Sequence, residues 1–181
     1  MGRRALVIGV AIVGLLAVPG PAGAASRMVS GSMGGSGHFV FGGGCGIGRV
    51  TGDGTFAAAG VGNGTYRYDV CIEDGPTVSG TLTFTTHSGA ALTGALEGVP
   101  FPGDESGRQV IPATGGPALY TMTVTGGTRR YAHATGTLTV GPLAETELTG
   151  CNAHVGVCSG WHDAGPVSGT LRHVRHTAAR R

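Results

Sequence analysis

Trp161-His162-Asp163 is the densest group of chemically capable side chains in this 181-residue chain: an aromatic wall, a titratable imidazole and a carboxylate. Neighbouring residues on a strand point to opposite faces, so His162 is directed away from both of the others, and the trio cannot form a dyad by itself. The other histidines (His38, His87, His133, His154, His173, His176) are scattered over strand, turn and tail positions. A metal or acid–base centre would need several of them to converge in space. No Gly-x-Ser-x-Gly elbow stands at a strand-to-helix junction, and phosphate-binding loops need βα units that the chain lacks. The sequence therefore assigns no catalytic residue, no cofactor and no metal ligand.

Cys45, Cys71, Cys151 and Cys158 are the remaining reactive side chains. Their setting follows from the N-terminus. Arg3 and Arg4 precede an apolar run from Ala5 to Val18, Pro19-Gly20-Pro21 breaks any helix, and Ala22-Gly23-Ala24 supplies small residues for cleavage. The run is shorter than the ~20 residues of a spanning helix, so residues 1–24 read as a signal peptide rather than an anchor. The expectation is a secreted protein with no membrane segment after leader removal. In an exported chain the cysteines imply two disulfides, with three pairings open. Short separation favours Cys151 with Cys158, which leaves Cys45 with Cys71. No C-x-x-C spacing suggests zinc.

The elements that must position these groups are strands. Glycine accounts for 37 residues and punctuates runs of Thr, Val, Leu, Tyr and Phe, without a collagen period and without a helical one. In Gly64 to Glu73, Tyr66, Tyr68, Val70 and Ile72 share one face, while Arg67, Asp69 and Cys71 share the other. Val78 to Thr85 repeats this with Val78, Gly80, Leu82 and Phe84 inward, and Ala91 to Leu96 follows. Tyr120, Met122 and Val124 alternate with threonines, as do Leu138 and Val140. Glu145 to Cys151, Cys158 to Asp163 and Val167 to Leu171 read as three further short strands. Ser26 to Gly37 is either a flexible leader or a first strand, and His38 to Phe41 is a strand. Gly42-Gly43-Gly44 is a bend or a loose loop, Gly52-Asp53-Gly54 reads as a turn, and Gly98 to Gly116 reads as a long surface loop. About eight antiparallel strands result, enough to close a barrel, although a two-sheet β-sandwich fits the same pattern. The inward aromatics and methionine, Tyr66, Tyr68, Phe84, Tyr120 and Met122, are candidate cavity-lining residues, although small barrels are usually filled by side chains, which favours plain core.

All 12 fixed side-chain cations are arginine, against 10 acids. Arg172, Arg175, Arg180 and Arg181 cluster in the last ten residues, so 172–181 reads as a basic tail on a mildly acidic body. No aromatic residues interleave with these charges, and the body would repel phosphate, so no nucleic-acid partner is expected. The body, residues 25–171, reads as a single domain.

Gly126-Gly127-Thr128-Arg129-Arg130-Tyr131-Ala132-His133-Ala134-Thr135-Gly136 resembles a motif of the allene oxide cyclase and dirigent barrel superfamily, which in secreted actinobacterial members typically reads G-G-T-G-R-[FY]-A-G-A-T-G. Gly126, Gly127, Thr128, Arg130, Tyr131, Ala132, Ala134, Thr135 and Gly136 match, whereas Arg129 and His133 stand where that family usually has glycine. The resemblance implies an all-β, calycin-like barrel of eight antiparallel strands with a central cavity. Tyr131 would plug one barrel end, and Arg130 would meet an acid or a backbone carbonyl. It carries over no activity. The expected function is a secreted, disulfide-stabilised module that is non-catalytic and either binds a small apolar ligand or is purely structural. A pocket-templating enzyme and an adhesive or chromophore-carrying sandwich are the alternatives.

Overall fold

The computed structural model describes residues 25–73, 77–99, 118–150 and 158–173. Eight strands follow one another: β1 (Ala25–Phe41), β2 (Gly48–Ala59), β3 (Gly62–Ile72), β4 (Val78–Thr86), β5 (Ala91–Val99), β6 (Ala118–Gly127), β7 (Ala134–Thr149) and β8 (Gly160–His173), with one 3-10 turn, Arg129–Tyr131, before β7. Each strand is antiparallel to its successor, and β1 pairs with β8 from Ala25↔His173 to His38↔Gly160. That last pairing closes an eight-stranded barrel and removes both sheet edges, which excludes the sandwich.

Alternation builds the core. The inward residues of β3 to β8 include Val70, Leu82, Phe84, Leu92, Met122, Leu138 and Leu171, all nearly or fully buried, while threonine dominates the outer positions of β4, β6 and β7. Phe56 meets Phe84 edge to face with ring centroids 4.8 Å apart.

The glycine-rich β1 and β2 serve the same core in another way. Gly52-Asp53-Gly54 is not a turn: it lies inside β2, with Gly52 opposite Tyr68 and Gly54 opposite Tyr66. A Cβ on Gly52 would stand 2.2 Å from Tyr68 Cζ, and one on Gly37 would stand 2.3 Å from the Trp161 indole. Rings from adjacent strands therefore occupy the volume that side chains at these positions would need. Ser26 to Gly37 is likewise strand, part of a continuous β1.

Two further expectations change. Glu145 to Thr149 is the end of β7 rather than a strand of its own, because the pairing slips between Val140 and Ala144 and again between Thr146 and Thr149 and so resets the inward–outward phase. β8 runs unbroken through Gly165-Pro166. Pro166 sits across from the first slip, where no ladder bond from its nitrogen is required.

Gly42, Gly43 and Gly44 all adopt left-handed φ (+69°, +58°, +87°), forming the bend between β1 and β2. The bend carries Cys45 to Cys71, and the two form a disulfide with Cα atoms 5.3 Å apart. Cys71 is on the outer face as expected, but its partner comes from this bend rather than from a neighbouring strand. Closing a loop of 26 residues is worth about 3.5 kcal/mol in the chain-entropy model. Cys158 is also disulfide-bonded, and its expected partner Cys151 lies outside the described residues. Residues 1–24, most of Gly98 to Gly116 and residues 174–181 lie outside them as well.

At one barrel end the 126–136 crossing forms a plug. Tyr131 is 1% exposed, and its hydroxyl donates to the Val61 carbonyl at 2.5 Å. Arg130 donates to the same carbonyl at 2.7 Å and stacks 4.8 Å from the Tyr131 ring centroid. Thr128 anchors the crossing to β5, its N–H donating to Ala91 O at 2.8 Å and its hydroxyl accepting from Ala91 N–H at 3.0 Å.

Candidate binding groove and the buried tyrosine–aspartate cluster

All five candidate cavity residues lie on the barrel's inner side, but they fill it. Phe84 and Met122 are fully buried in the core, and Tyr120 is partly buried. Tyr68 and Tyr120 border an internal cavity of about 10 Å³ together with Met33, Leu82 and Leu96. That volume holds about one water molecule at most.

Tyr66 and Tyr68 instead serve a group that the sequence left unassigned. Their rings stack 6.2 Å apart, and their hydroxyls donate to the two oxygens of Asp163, Tyr66 to Oδ1 at 2.6 Å and Tyr68 to Oδ2 at 2.9 Å. Asp163 is 3% exposed and makes no ion pair among the described residues. Burial, reinforced by the hydrogen bond and the charge of Asp163, pushes both phenols well above the ordinary tyrosine range. They remain protonated donors and cannot serve as bases near neutrality. A signal for Asp163 was present in the sequence. It has the parity of Trp161, Val167 and Leu171, but reading β8 as two pieces hid the shared face.

His162 points outward, opposite in parity to Trp161 and Asp163, as strand geometry requires. It lies in a groove of about 730 Å³ on the outer wall across β7, β8, β1, β2 and β3. One cross-strand row runs through it: His162 opposite Ser36, Ser36 opposite Asp53, Asp53 opposite Arg67. His162 Nε2 is 3.5 Å from Glu147 Oε2, an exposed and therefore weak contact. His38 also lines the groove, and its Nδ1 lies 2.6 Å from Ser159 O. A carbonyl only accepts, so Nδ1 carries the proton, and Nε2 of the neutral ring is left as an acceptor. Arg49 is engaged by Asp69, with Nε to Oδ1 at 2.7 Å and Nη2 to Oδ2, whereas Arg67 has no ion-pair partner among the described residues.

Trp161 completes the groove. Its backbone forms part of the floor, while the indole, 8% exposed, lies on the inner side of the sheet in the volume that a side chain at Gly37 would need. Its indole N–H has no acceptor among the described residues, an unusual state for a donor so enclosed.

Ser36, His162 and Glu147 have the residue types of a hydrolytic triad, but no hydrogen bond joins Ser36 to His162 among the described residues. The surrounding backbone amides are committed to the barrel ladder, which leaves no oxyanion site. The one cluster of metal-ligand types among the described residues, Cys45, Cys71 and Glu73, has its sulfurs joined in a disulfide. His87 and His133 are exposed and lie outside the groove, and His154 and His176 fall outside the described residues.

The fold and site together define a closed, disulfide-bonded antiparallel β-barrel with a filled interior and a polar outer groove. No protein family matches the chain, and neither a curated protein nor a solved structure matches it.

Proposed function

We propose that this protein is a secreted, non-catalytic binding module that holds a polar ligand on its outer wall, in the groove around His162, rather than an apolar ligand inside the barrel. The observation that carries this reading is the contrast between an interior of about 10 Å³ and an outer groove of about 730 Å³ with the convergent polar side chains Ser36, His38, Asp53, Arg67, Glu147 and His162. Ligand sites typically occupy roughly 300–1,000 Å³. The Cys45–Cys71 disulfide and the signal-peptide pattern of residues 1–24 support an oxidising, extracellular setting. The allene oxide cyclase and dirigent likeness supports the scaffold. The pocket-templating reading gains a buried ionisable group, Asp163, but lacks the open cavity it requires.

The test uses the single tryptophan as a reporter. Polar ligands, sugars foremost, are expected to change Trp161 fluorescence and to shift the backbone amide signals of Ser36, Asp53 and His162. Signals of Leu82, Leu96 and Met122 moving with a fatty acid, while the groove stays silent to every polar ligand, would reverse the assignment.

A further inference from the structure

Resting on the reading of the groove as a binding site, we infer that its ligand is a linear, neutral polysaccharide lying along β1. A second depression of about 540 Å³ begins where the first ends. The first takes Ser36–His38 of β1, Thr51–Gly54 of β2 and Gly160–His162 of β8; the second takes Gly31–Gly34, Thr55–Ala57 and Ala164–Pro166 of the same strands. Because they lie end to end along the same three strands, we read the two as one trough. At about 3.3 Å per residue, the span from Gly31 to His38 is roughly 23 Å, which is the reach of a chain of several sugar rings rather than of one small molecule.

The chemistry of the trough selects the class. β1 is hydrogen-bonded to β2 on one side and to β8 on the other throughout Ser30 to His38, so a peptide cannot add as a strand, and recognition falls to side chains. In the first half the carboxylates Asp53 and Glu147 face the guanidinium Arg67, with His38 and His162 between, a net charge of minus one with neutral imidazoles, which repels a polyanion and is too small to hold a polycation. Donors and acceptors interleave there, the Ser36 and Thr51 hydroxyls among the Asp53, Glu147, Arg67 and imidazole groups, matching hydroxyl groups that both donate and accept. In the second half, Ala57, Ala164 and Pro166 offer an apolar surface to the C–H face of a sugar ring.

The experiment titrates the full protein with neutral β-1,4-linked glucose, N-acetylglucosamine, xylose and mannose series, from monosaccharide to hexasaccharide, following Trp161 fluorescence and calorimetric heat. For at least one series, affinity is expected to tighten by about tenfold or more between disaccharide and hexasaccharide. Ser32→Tyr in the second half flattens that length dependence, and Ser36→Tyr weakens binding at every length. Both serines are exposed, and unchanged thermal unfolding confirms that the variants are folded. Affinity independent of length overturns the trough while leaving the groove as a site. Binding of polyuronate or peptide with no neutral sugar bound overturns the ligand class. Silence of the groove to every probe removes the parent reading as well.

Discussion

Tyr66 and Asp163 are 97 residues apart in the chain and meet inside the barrel, the phenol donating to Oδ1 at 2.6 Å while Tyr68 donates to Oδ2. This contact ties β3 to β8 across the interior, beneath the strands that floor the groove. It also converts the cost of a buried carboxylate into a satisfied network. Asp163→Ala leaves two enclosed hydroxyls without acceptors, at about 1–3 kcal/mol each. Asp163→Asn keeps the volume and one acceptor oxygen, and its amide can donate to the second phenol. Denaturant unfolding should show a loss of roughly 2–5 kcal/mol for alanine and clearly less for asparagine. Equal losses in the two variants would mean that side-chain volume, not hydrogen bonding, holds the site.

The same network predicts alkaline behaviour. Tyr66 and Tyr68 have folded pKa values raised well above the ordinary phenol value, chiefly by burial. A raised pKa means that the folded state holds these protons more tightly than the unfolded state. Their contribution to stability is therefore complete below about pH 10 and declines as pH rises through the folded values. Stability should fall steeply above about pH 10, and the phenolate absorbance of both residues should appear together with unfolding. In Asp163→Asn the charge that helps to raise both phenols is gone, so their ionisation should begin at lower pH. Free titration of both phenols near pH 10 in the folded protein would contradict the burial of the cluster.

Much of the barrel was legible because antiparallel strands with one dry face carry a period of two, as β3 and β4 do from Tyr66 to Phe84. The crossing at 126–136 was legible through its motif rather than its period, and Arg130 meets a backbone carbonyl, one of the two partners expected for it. The reading lost its footing where side chains vanish or the phase shifts. Gly52 and Gly54 resemble a turn because the rings that justify them belong to β3, and nothing local records that. The slips in β7 and the proline in β8 divided continuous strands, and with them went the parity that would have placed Asp163 inside. The outer groove was invisible for a related reason: Ser36, Asp53, Arg67 and His162 come from four strands, and only their register brings them into one row.

The ring-over-glycine arrangement separates two kinds of glycine. Gly52→Ala places a methyl 2.2 Å from Tyr68 Cζ and 2.4 Å from its hydroxyl, displacing the donor to Asp163, and should cost about 1–3 kcal/mol as overpacking. Gly34 lies on the outer face of the same sheet, where a Cβ meets nothing nearer than 3.4 Å. Gly34→Ala should be neutral or stabilising, by up to about 1 kcal/mol, through the lower entropy of the unfolded chain. Thermal or denaturant midpoints compare the pair directly, and a loss at Gly34 as large as that at Gly52 would refute the steric account.

Arg129 occupies a position where the resembling family keeps glycine, and it does so with φ at +52°, in the left-handed region. For a side chain bearing a Cβ this costs about 1–2 kcal/mol. Here it is offset in part by the guanidinium, whose Nη1 donates to the Ser88 carbonyl in the β4–β5 turn. His133, at the other departure, is not in the left-handed region and carries no such strain. Two substitutions at 129 divide the terms. Arg129→Ala keeps the unfavourable backbone and loses the hydrogen bond, so it should destabilise by about 1 kcal/mol. Arg129→Gly loses the same bond but relieves the backbone, and should come out near neutral or stabilising by up to about 1 kcal/mol. Urea midpoints of the two variants should thus bracket the native protein. If glycine proves as costly as alanine, the guanidinium contact rather than backbone geometry governs the crossing. His133→Gly, by contrast, relieves no left-handed backbone and adds unfolded-state entropy, so it should lower stability by at least about 0.5–1 kcal/mol.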